Sequence, residues 1–546
     1  SVLSQISHRP KINAYAIDEN NYAGPRDFAG LPDHAFLQAR EPANIVMLYG
    51  GMSNSVPRLY ALARQYRLLG AVTIAGGSHV DALPDEALRS GVDIVVHGEG
   101  EQVIKEILDA VVFDGRAVFK PESVSHIKGI SFLDSYGNKV FTGRADPILN
   151  LDSLNDPDLT LIKHLRKKWS AVPINRGRGC NFKCEFCVVN KQYGEYKAAS
   201  TEKALRQMVK YSDMGYRSFF ITDDNFAQCQ EEALDFCKKI GDYKRRFRKK
   251  IDMTVQVRSE VAENDALIEA MLYAGVSTLA IGFESPIDSE LKAMRKGVTS
   301  ELLTARARKL SKHFYIHGMF IFGYPPRSES RQVSLDVVNE SFMSLKLRAK
   351  EYMRFFRRAR LDTVQVLNAV PLPGSELRAR LEKEKRILPG EMVGWDKYDG
   401  QFLCYDPTPD GIDAYELQNL PRVLMKKRYL GSFISRQLNY CNWLNWAYIA
   451  TIGFPIQFTL FYTRNFFRNL MEKKRASNIT GLLPRGNIFQ EALASSWREI
   501  KRVWRNLTIK TYAGSIFRTW MREYRKSRYS SILKRLPRIS GKKRPC

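Results

Sequence analysis

The stretch "NRGRGCNFKCEFCVVN", residues 175–190, places Cys180, Cys184 and Cys187 within eight positions of a 546-residue chain that holds eight cysteines in all. Thiolates crowded at short fixed spacings suit a metal centre, and iron–sulfur clusters are held in this way. Zinc is the rival ligand. A structural zinc site, however, takes four ligands, usually as two separated pairs, and the nearest histidine, His164, lies upstream without matching spacing. Three cysteines without a fourth leave one iron of a cluster open to a substrate or cofactor. Cys229, Cys237, Cys404, Cys441 and Cys546 are scattered and form no disulfide framework, so a reducing, cytoplasmic-side location is expected.

Downstream, apolar runs at "RSFFITDDN", "IDMTVQVRS", "STLAIGFES", "IHGMFIFGYP" and "LDTVQVLNAVPLPG" alternate with helical segments around 202–214, 230–246, 264–274, 287–313 and 328–357. Such repetition predicts a parallel barrel of the TIM type, complete or partial, over residues 173–385, with the chemistry at the carboxyl ends of its strands. The polar residues there are Asp223, Asp224, Asn225, Gln256, Arg258, Glu284 and Ser285. Each has a plainer reading, and Asp and Ser at such junctions often cap the following helix.

Upstream, "NIVMLY", "AVTIAG" and "VDIVVHG" end at glycines and alternate with helices, one from Pro57 to Leu69. The pattern predicts a doubly wound, Rossmann-like α/β domain over residues 1–140, followed by a linker over 141–172. Ligands of such sheets bind at the strands' carboxyl ends, here Gly50, Gly51, Gly76, Gly77, Gly98, Glu99 and Gly100. The same glycines are also what tight turns need. The stretch before residue 40 lacks a convincing first strand and helix, and the chain opens on Ser1 rather than Met, so an incomplete domain is expected at that end. No secretory signal is read there.

The formal charge of +27 is lopsided: residues 421–546 hold 27 Lys or Arg against 4 Asp or Glu. Residues 386–546 are read as a basic, mostly helical extension. The uncharged run at 437–463 is about long enough to span a bilayer, but its Asn residues and Pro455 favour a segment lying in the interface. Further on, Trp497, Ile500, Val503, Trp504 and Leu507, then Ile516, Trp520 and Tyr524, recur at helical spacing among Arg and Lys. An anionic membrane surface is the favoured partner, which would place the protein peripherally on the cytoplasmic face. A solvated basic domain comes next and nucleic acid last.

The C-x3-C-x2-C run with Phe186 before its last cysteine, opening a strand–helix barrel, resembles the radical S-adenosylmethionine superfamily. The resemblance implies a partial (β/α)6 barrel in which Cys180, Cys184 and Cys187 hold three irons of a 4Fe-4S cluster and S-adenosylmethionine chelates the fourth. It further implies that Phe186, Asp223, Asp224, Asn225, Gln256, Arg258, Glu284 and Ser285 border that cofactor. The glycine-ended domain with "AGGSHVDALPDEAL" and "HGEGE" in front resembles the members that carry a cobalamin-binding domain, nearest the hopanoid methylase branch. The likeness spans roughly residues 40–405. No D-x-H-x-x-G is present, so cobalamin would bind without a lower histidine, and His79, His97 and His317 are expected to be loop or packing residues.

The activity this implies is methylation of an unactivated carbon on a hydrophobic or lipid-like substrate, with electrons from a flavodoxin- or ferredoxin-type reductant. The alternatives are a radical cyclisation, rearrangement or oxidation without methyl transfer, a tRNA-modifying enzyme, and a non-catalytic membrane-tethered iron–sulfur protein.

Overall fold

Two sheets organise the chain, and the apolar runs of the sequence supply the strands of both. The computed structural model describes residues 2–9, 12–113, 116–327 and 344–429, with positions 463 and 467. The first sheet contains β1 (Ile45–Tyr49), β2 (Val72–Gly76), β3 (Ile94–Val96), β4 (Ile130–Leu133) and β5 (Lys139–Phe141), hydrogen-bonded in that order. β1, β2 and β3 run parallel. Helices Val56–Leu68 and Gly100–Val111 bury Leu59, Leu62 and Ala63, and Val103, Ile104 and Ile107, respectively.

The three strands read from the sequence are parallel as expected, and the sheet continues past them with two strands that the sequence reading did not include. β4 is antiparallel to both β3 and β5. β4 and β5 are joined by a tight turn in which Asp134 accepts the amides of Tyr136 and Asn138 and Gly137 has φ +83°. A connection that short can only return the chain antiparallel.

The second sheet has six strands, β6 (Val172–Ile174), β7 (Ser218–Ile221), β8 (Asp252–Val257), β9 (Val276–Glu284), β10 (Tyr315–Phe322) and β11 (Thr363–Asn368), in sequence order and all parallel. β6 and β11 are its two edges, so the barrel is open. β10 alternates half-buried and buried residues, as a strand between solvent-accessible and core faces must. Helices return outside the sheet: Ser200 caps Thr201–Asp213 by accepting the Lys203 amide, and Asn264 caps Asp265–Ala274 by accepting that of Leu267. Phe283, Phe320, Phe355 and Phe356 pack between β9, β10 and helix Leu345–Arg358.

Two stretches outside the barrel as read from sequence pack on it. Within the linker 141–172, the carbonyl of Leu151 accepts from Lys203 on the first barrel helix, and Asp152 accepts from Ser200. The barrel core also continues past residue 385 through Leu388, Leu403, Cys404, Tyr405 and Leu417, because helix Ala414–Tyr429 covers the β11 edge. Among the described residues no helix is long and apolar enough to cross a membrane. The segment at 437–463, all but its last residue, and the aromatic, basic stretches from Trp497 to Lys526 lie outside the described residues.

Candidate active site

The three cysteines sit on the loop that leaves β6. That strand passes through Asn175 and Arg176 into a two-residue ribbon, Gly177–Arg178 against Lys197–Ala198. Arg176 is wholly buried and holds the turn, with its guanidinium on Asp223, the Tyr196 hydroxyl and the carbonyl of Phe226. Gly179 has φ +81°, and a Cβ there would stand 2.5 Å from the Glu195 carbonyl oxygen. Only glycine fits where the chain turns into the cysteines.

Glu185, inside the motif between Cys184 and Phe186, fixes the loop to the barrel. Its buried carboxylate accepts from the Tyr324 hydroxyl at 2.6 Å, from Arg327 at 2.8 Å and from Arg380 at 2.9 Å. The Glu185 amide donates to Met294, and its carbonyl accepts the Leu377 amide. Phe186 packs edge-on to Tyr324.

All three thiols are half-buried. Burial pushes the Cys187 thiol up to about 11 and raises Cys180, and each would be raised further by charge on its motif neighbours. Three thiolates held together against desolvation and mutual repulsion need cations to offset their charge, which iron provides. Among the described residues no three His, Cys, Asp or Glu side chains are gathered to hold a single metal ion. A cluster taking one thiolate on each of three irons does not require that. The donor set therefore fits a 4Fe-4S cluster.

The polar strand ends divide into two groups. Asp224 is half-buried and lines the cavity described below; burial pushes its carboxyl up to about 6, against the amide of Gly179. Arg258 lies 3.7 Å over the Phe182 ring, directs Nη1 at the Cys184 sulfur 4.0 Å away, and is steadied by Glu260 and the Lys296 carbonyl. Gln256 donates to the Asp224 carbonyl. Glu284, at φ +63° on a β-bulge, pairs with Lys296 at 2.9 Å.

Asp223, Asn225 and Ser285 instead face inward. Asp223 accepts the amides of Arg176 and Gly177. Asn225 accepts the Arg258 amide. Ser285 accepts the Ile287 amide and donates to Glu290, which also holds Tyr352 and Arg348. For these three the geometry is that of positioning and capping residues.

Opposite the cysteine loop, one cavity of about 1690 Å³ runs between the carboxyl ends of β1–β3 and the barrel. Gly76, Gly77, Gly98, Glu99 and Gly100 line it from one side, and Asn175, Gly177, Arg178, Tyr193, Thr222 and Asp224 from the other. A Cβ on Gly98 would meet nothing within 4 Å, so the backbone at that position stands bare. Gly50 and Gly51 lie outside the lining, beneath Gly77, where φ is +120° and a Cβ would stand 2.5 Å from the Gly51 nitrogen. Glu99 is bound to Arg178 at 3.1 Å and to Lys197 at 2.5 Å, while Arg178 also reaches Glu101. This ion network clamps the glycine-ended sheet to the cysteine ribbon.

Among the described lining residues the one histidine is His34, at the end of the cavity away from the glycine strand ends. Both ring nitrogens of His97 are engaged, by Asp81 at 2.6 Å and Ser131 at 2.8 Å. His79 is buried against Trp395 and bonded to Ser53. His317 bonds to Thr363, and burial lowers its pKa. A large cavity floored by glycine, with no imidazole beneath, fits cobalamin bound without a lower histidine. Sequence reading missed Glu185, Tyr324, Arg327 and Arg380; a lone carboxylate within "CNFKCEFC" was the available signal.

Residues 174–336 match the model of the radical SAM superfamily. An uncharacterized methyltransferase of Pyrococcus horikoshii is 27% identical over 66% of this chain and 72% of its own length. The anaerobic magnesium-protoporphyrin IX monomethyl ester cyclase of Rubrivivax gelatinosus is 25% identical over 70% of this chain and 66% of its own. The hopanoid C-2 methylase of Rhodopseudomonas palustris is 24% identical over 40% of each. Among solved structures, the cobalamin-dependent S-adenosylmethionine radical enzyme OxsB, bound to aqua-cobalamin and S-adenosylmethionine, aligns with a TM-score of 0.54 at 15% identity, over 88% of this chain and 74% of its own. Residues 174–336 are thus a radical S-adenosylmethionine domain opened by the three-cysteine loop, and the likeness to OxsB is one of fold.

Proposed function

We propose that the chain is a cobalamin-dependent radical methylase acting on an unactivated carbon of a hydrophobic substrate. The observation that carries this reading is the cavity that joins the glycine strand ends to Asp224 beside the cysteine loop. A cluster on the cysteine loop with S-adenosylmethionine would supply a 5′-deoxyadenosyl radical, and cobalamin in the cavity would supply the methyl group. The chain's own part is to hold them. Cys180, Cys184 and Cys187 would ligate the cluster, and Asp224, ionised above about pH 6, would accept a hydrogen bond from the amino group of S-adenosylmethionine. The Glu99–Arg178–Lys197 clamp keeps the two halves of the cavity in register. Electrons come from a low-potential donor of the flavodoxin or ferredoxin class.

The test is anaerobic reconstitution with iron, sulfide and hydroxocobalamin, followed by reduction and assay of 5′-deoxyadenosine and S-adenosylhomocysteine. Both products, with corrinoid retained on the protein, support methylation. A second reading, radical cyclisation or oxidation without methyl transfer, is favoured by the similarity to the magnesium-protoporphyrin ester cyclase. It predicts deoxyadenosine without S-adenosylhomocysteine.

A further inference from the structure

Phe28 stands wholly in solvent, with a relative exposure of 114%. It is not on a loose end. Asp27 caps its turn by accepting the amides of Ala29 and Leu31, the Asp27 amide donates to Leu31, Arg26 donates to the Gly30 carbonyl at 2.8 Å, and Gly30 takes φ +77°. Leu31 and Phe36 are exposed beside it. An ordered turn with an apolar apex marks a contact surface, since water is the unfavourable neighbour for such side chains.

The turn is hydrogen-bonded to a basic strip. Ala23 donates to His164, Arg166 to the Asn21 carbonyl, and the Asn21 amide side chain joins the backbone of Lys167 at 2.7 and 3.0 Å. Arg166, Lys167 and Lys168 are exposed, as are Arg26 and Arg40, and none of the five makes an ion pair among the described residues. The carboxylates nearby are already engaged: Glu19 by Arg58 and His34, Glu41 by Lys163 and His164, Asp33 as the cap of helix His34–Arg40. What remains outward is apolar and cationic.

The strip enters β6 and the cysteine loop leaves it, so the two lie at opposite ends of the barrel sheet. A reductant must approach the cluster and is the wrong occupant for this surface. The far end of the cavity, in contrast, is lined by His34, Leu37 and Glu41, on and just after the helix that carries Phe36 and Arg40.

We propose that residues 25–40 and 163–168 dock on an anionic lipid bilayer, with Phe28 and Leu31 entering the interface and Arg166, Lys167 and Lys168 meeting lipid phosphates. Aromatic insertion combined with unpaired cations is the recognised chemistry of such surfaces. The docked pose sets the far end of the cavity beside the membrane.

The full chain is tested by hydrogen exchange with phosphatidylcholine vesicles, with and without phosphatidylglycerol. Slowed exchange in both 22–33 and 161–169, only with the anionic lipid, is the expected result. In vesicle flotation, Phe28→Ser with Leu31→Ser and, separately, Lys167→Glu with Lys168→Glu should each weaken partitioning by at least about fivefold. Protection confined to residues 430–546 would overturn the proposal, since the basic tail would then be binding alone. Protection produced by RNA or by an acidic protein, and not by vesicles, would overturn it as well. Deoxyadenosine formation without vesicles is read separately, so failure here leaves the radical chemistry standing.

Discussion

The carboxylate of Glu185 accepts a 2.6 Å hydrogen bond from the hydroxyl of Tyr324, a residue 139 positions away and beyond the end of the fifth barrel strand. Arg327 and Arg380 complete the same site. One acidic side chain inside the cysteine motif thereby ties the cluster loop to the far side of the barrel.

Removing it leaves two guanidinium groups facing a buried gap. Glu185→Ala should cost about 3–5 kcal/mol in denaturant unfolding, the range for breaking a buried pair from one side. Iron bound per chain after reconstitution should fall with it. Glu185→Gln, which keeps the shape and one acceptor, should retain more of both.

Asp224 sets a pH dependence with a definite sign. Its folded-state pKa of about 6 lies above the usual 3.8, so between those values the folded chain keeps a proton that the unfolded chain has lost. Ionisation therefore costs the cofactor-free protein stability as pH rises toward 6 and above, and Asp224→Asn should recover about 1–3 kcal/mol at pH 7.5. Binding of S-adenosylmethionine should move the other way. In the wild type it strengthens as pH rises through about 6, and in Asp224→Asn it is weaker and flat with pH, measured by calorimetry on anaerobic protein.

Arg258 places a cation beside the Cys184 sulfur, where it favours the more negative, reduced cluster. Arg258→Gln should lower the midpoint potential in an EPR-monitored titration, and Arg258→Lys should lower it less. An unchanged potential would confine Arg258 to packing on Phe182.

Gly98 tests the cavity floor. At φ +72° a side chain costs about 1 kcal/mol of backbone strain, and nothing nearby opposes a methyl group. Gly98→Ala should therefore fold, yet retain less corrinoid because its methyl projects into the bare floor. Gly77→Ala, whose Cβ would overlap the backbone of Gly51, should lose stability outright.

The sequence made the parallel strands legible because each ends its apolar run at a glycine or a polar cluster, as β2 does at Gly76-Gly77 and β7 at Asp223-Asp224. The cysteine loop was legible for its spacing alone. What stayed hidden depends on contacts across long separations. Neither the turn of Ser285 into the Glu290–Tyr352 network nor the spending of Glu99 on Arg178 and Lys197 leaves a local mark. Of the adjacent carboxylates, Asp223 faces the core and Asp224 the cavity, an alternation that follows once the strand is placed but that the dipeptide does not announce.

The most direct test of the central claim is a comparison of wild type with Cys184→Ala after anaerobic reconstitution, following 5′-deoxyadenosine and the 4Fe-4S signals by EPR and Mössbauer spectroscopy. The wild type should show a site-differentiated cluster whose spectrum changes on adding S-adenosylmethionine and should form deoxyadenosine under reduction, and the variant should lose both. A wild-type protein that binds zinc in preference to a cluster, or that forms no deoxyadenosine with its cluster intact, would contradict it.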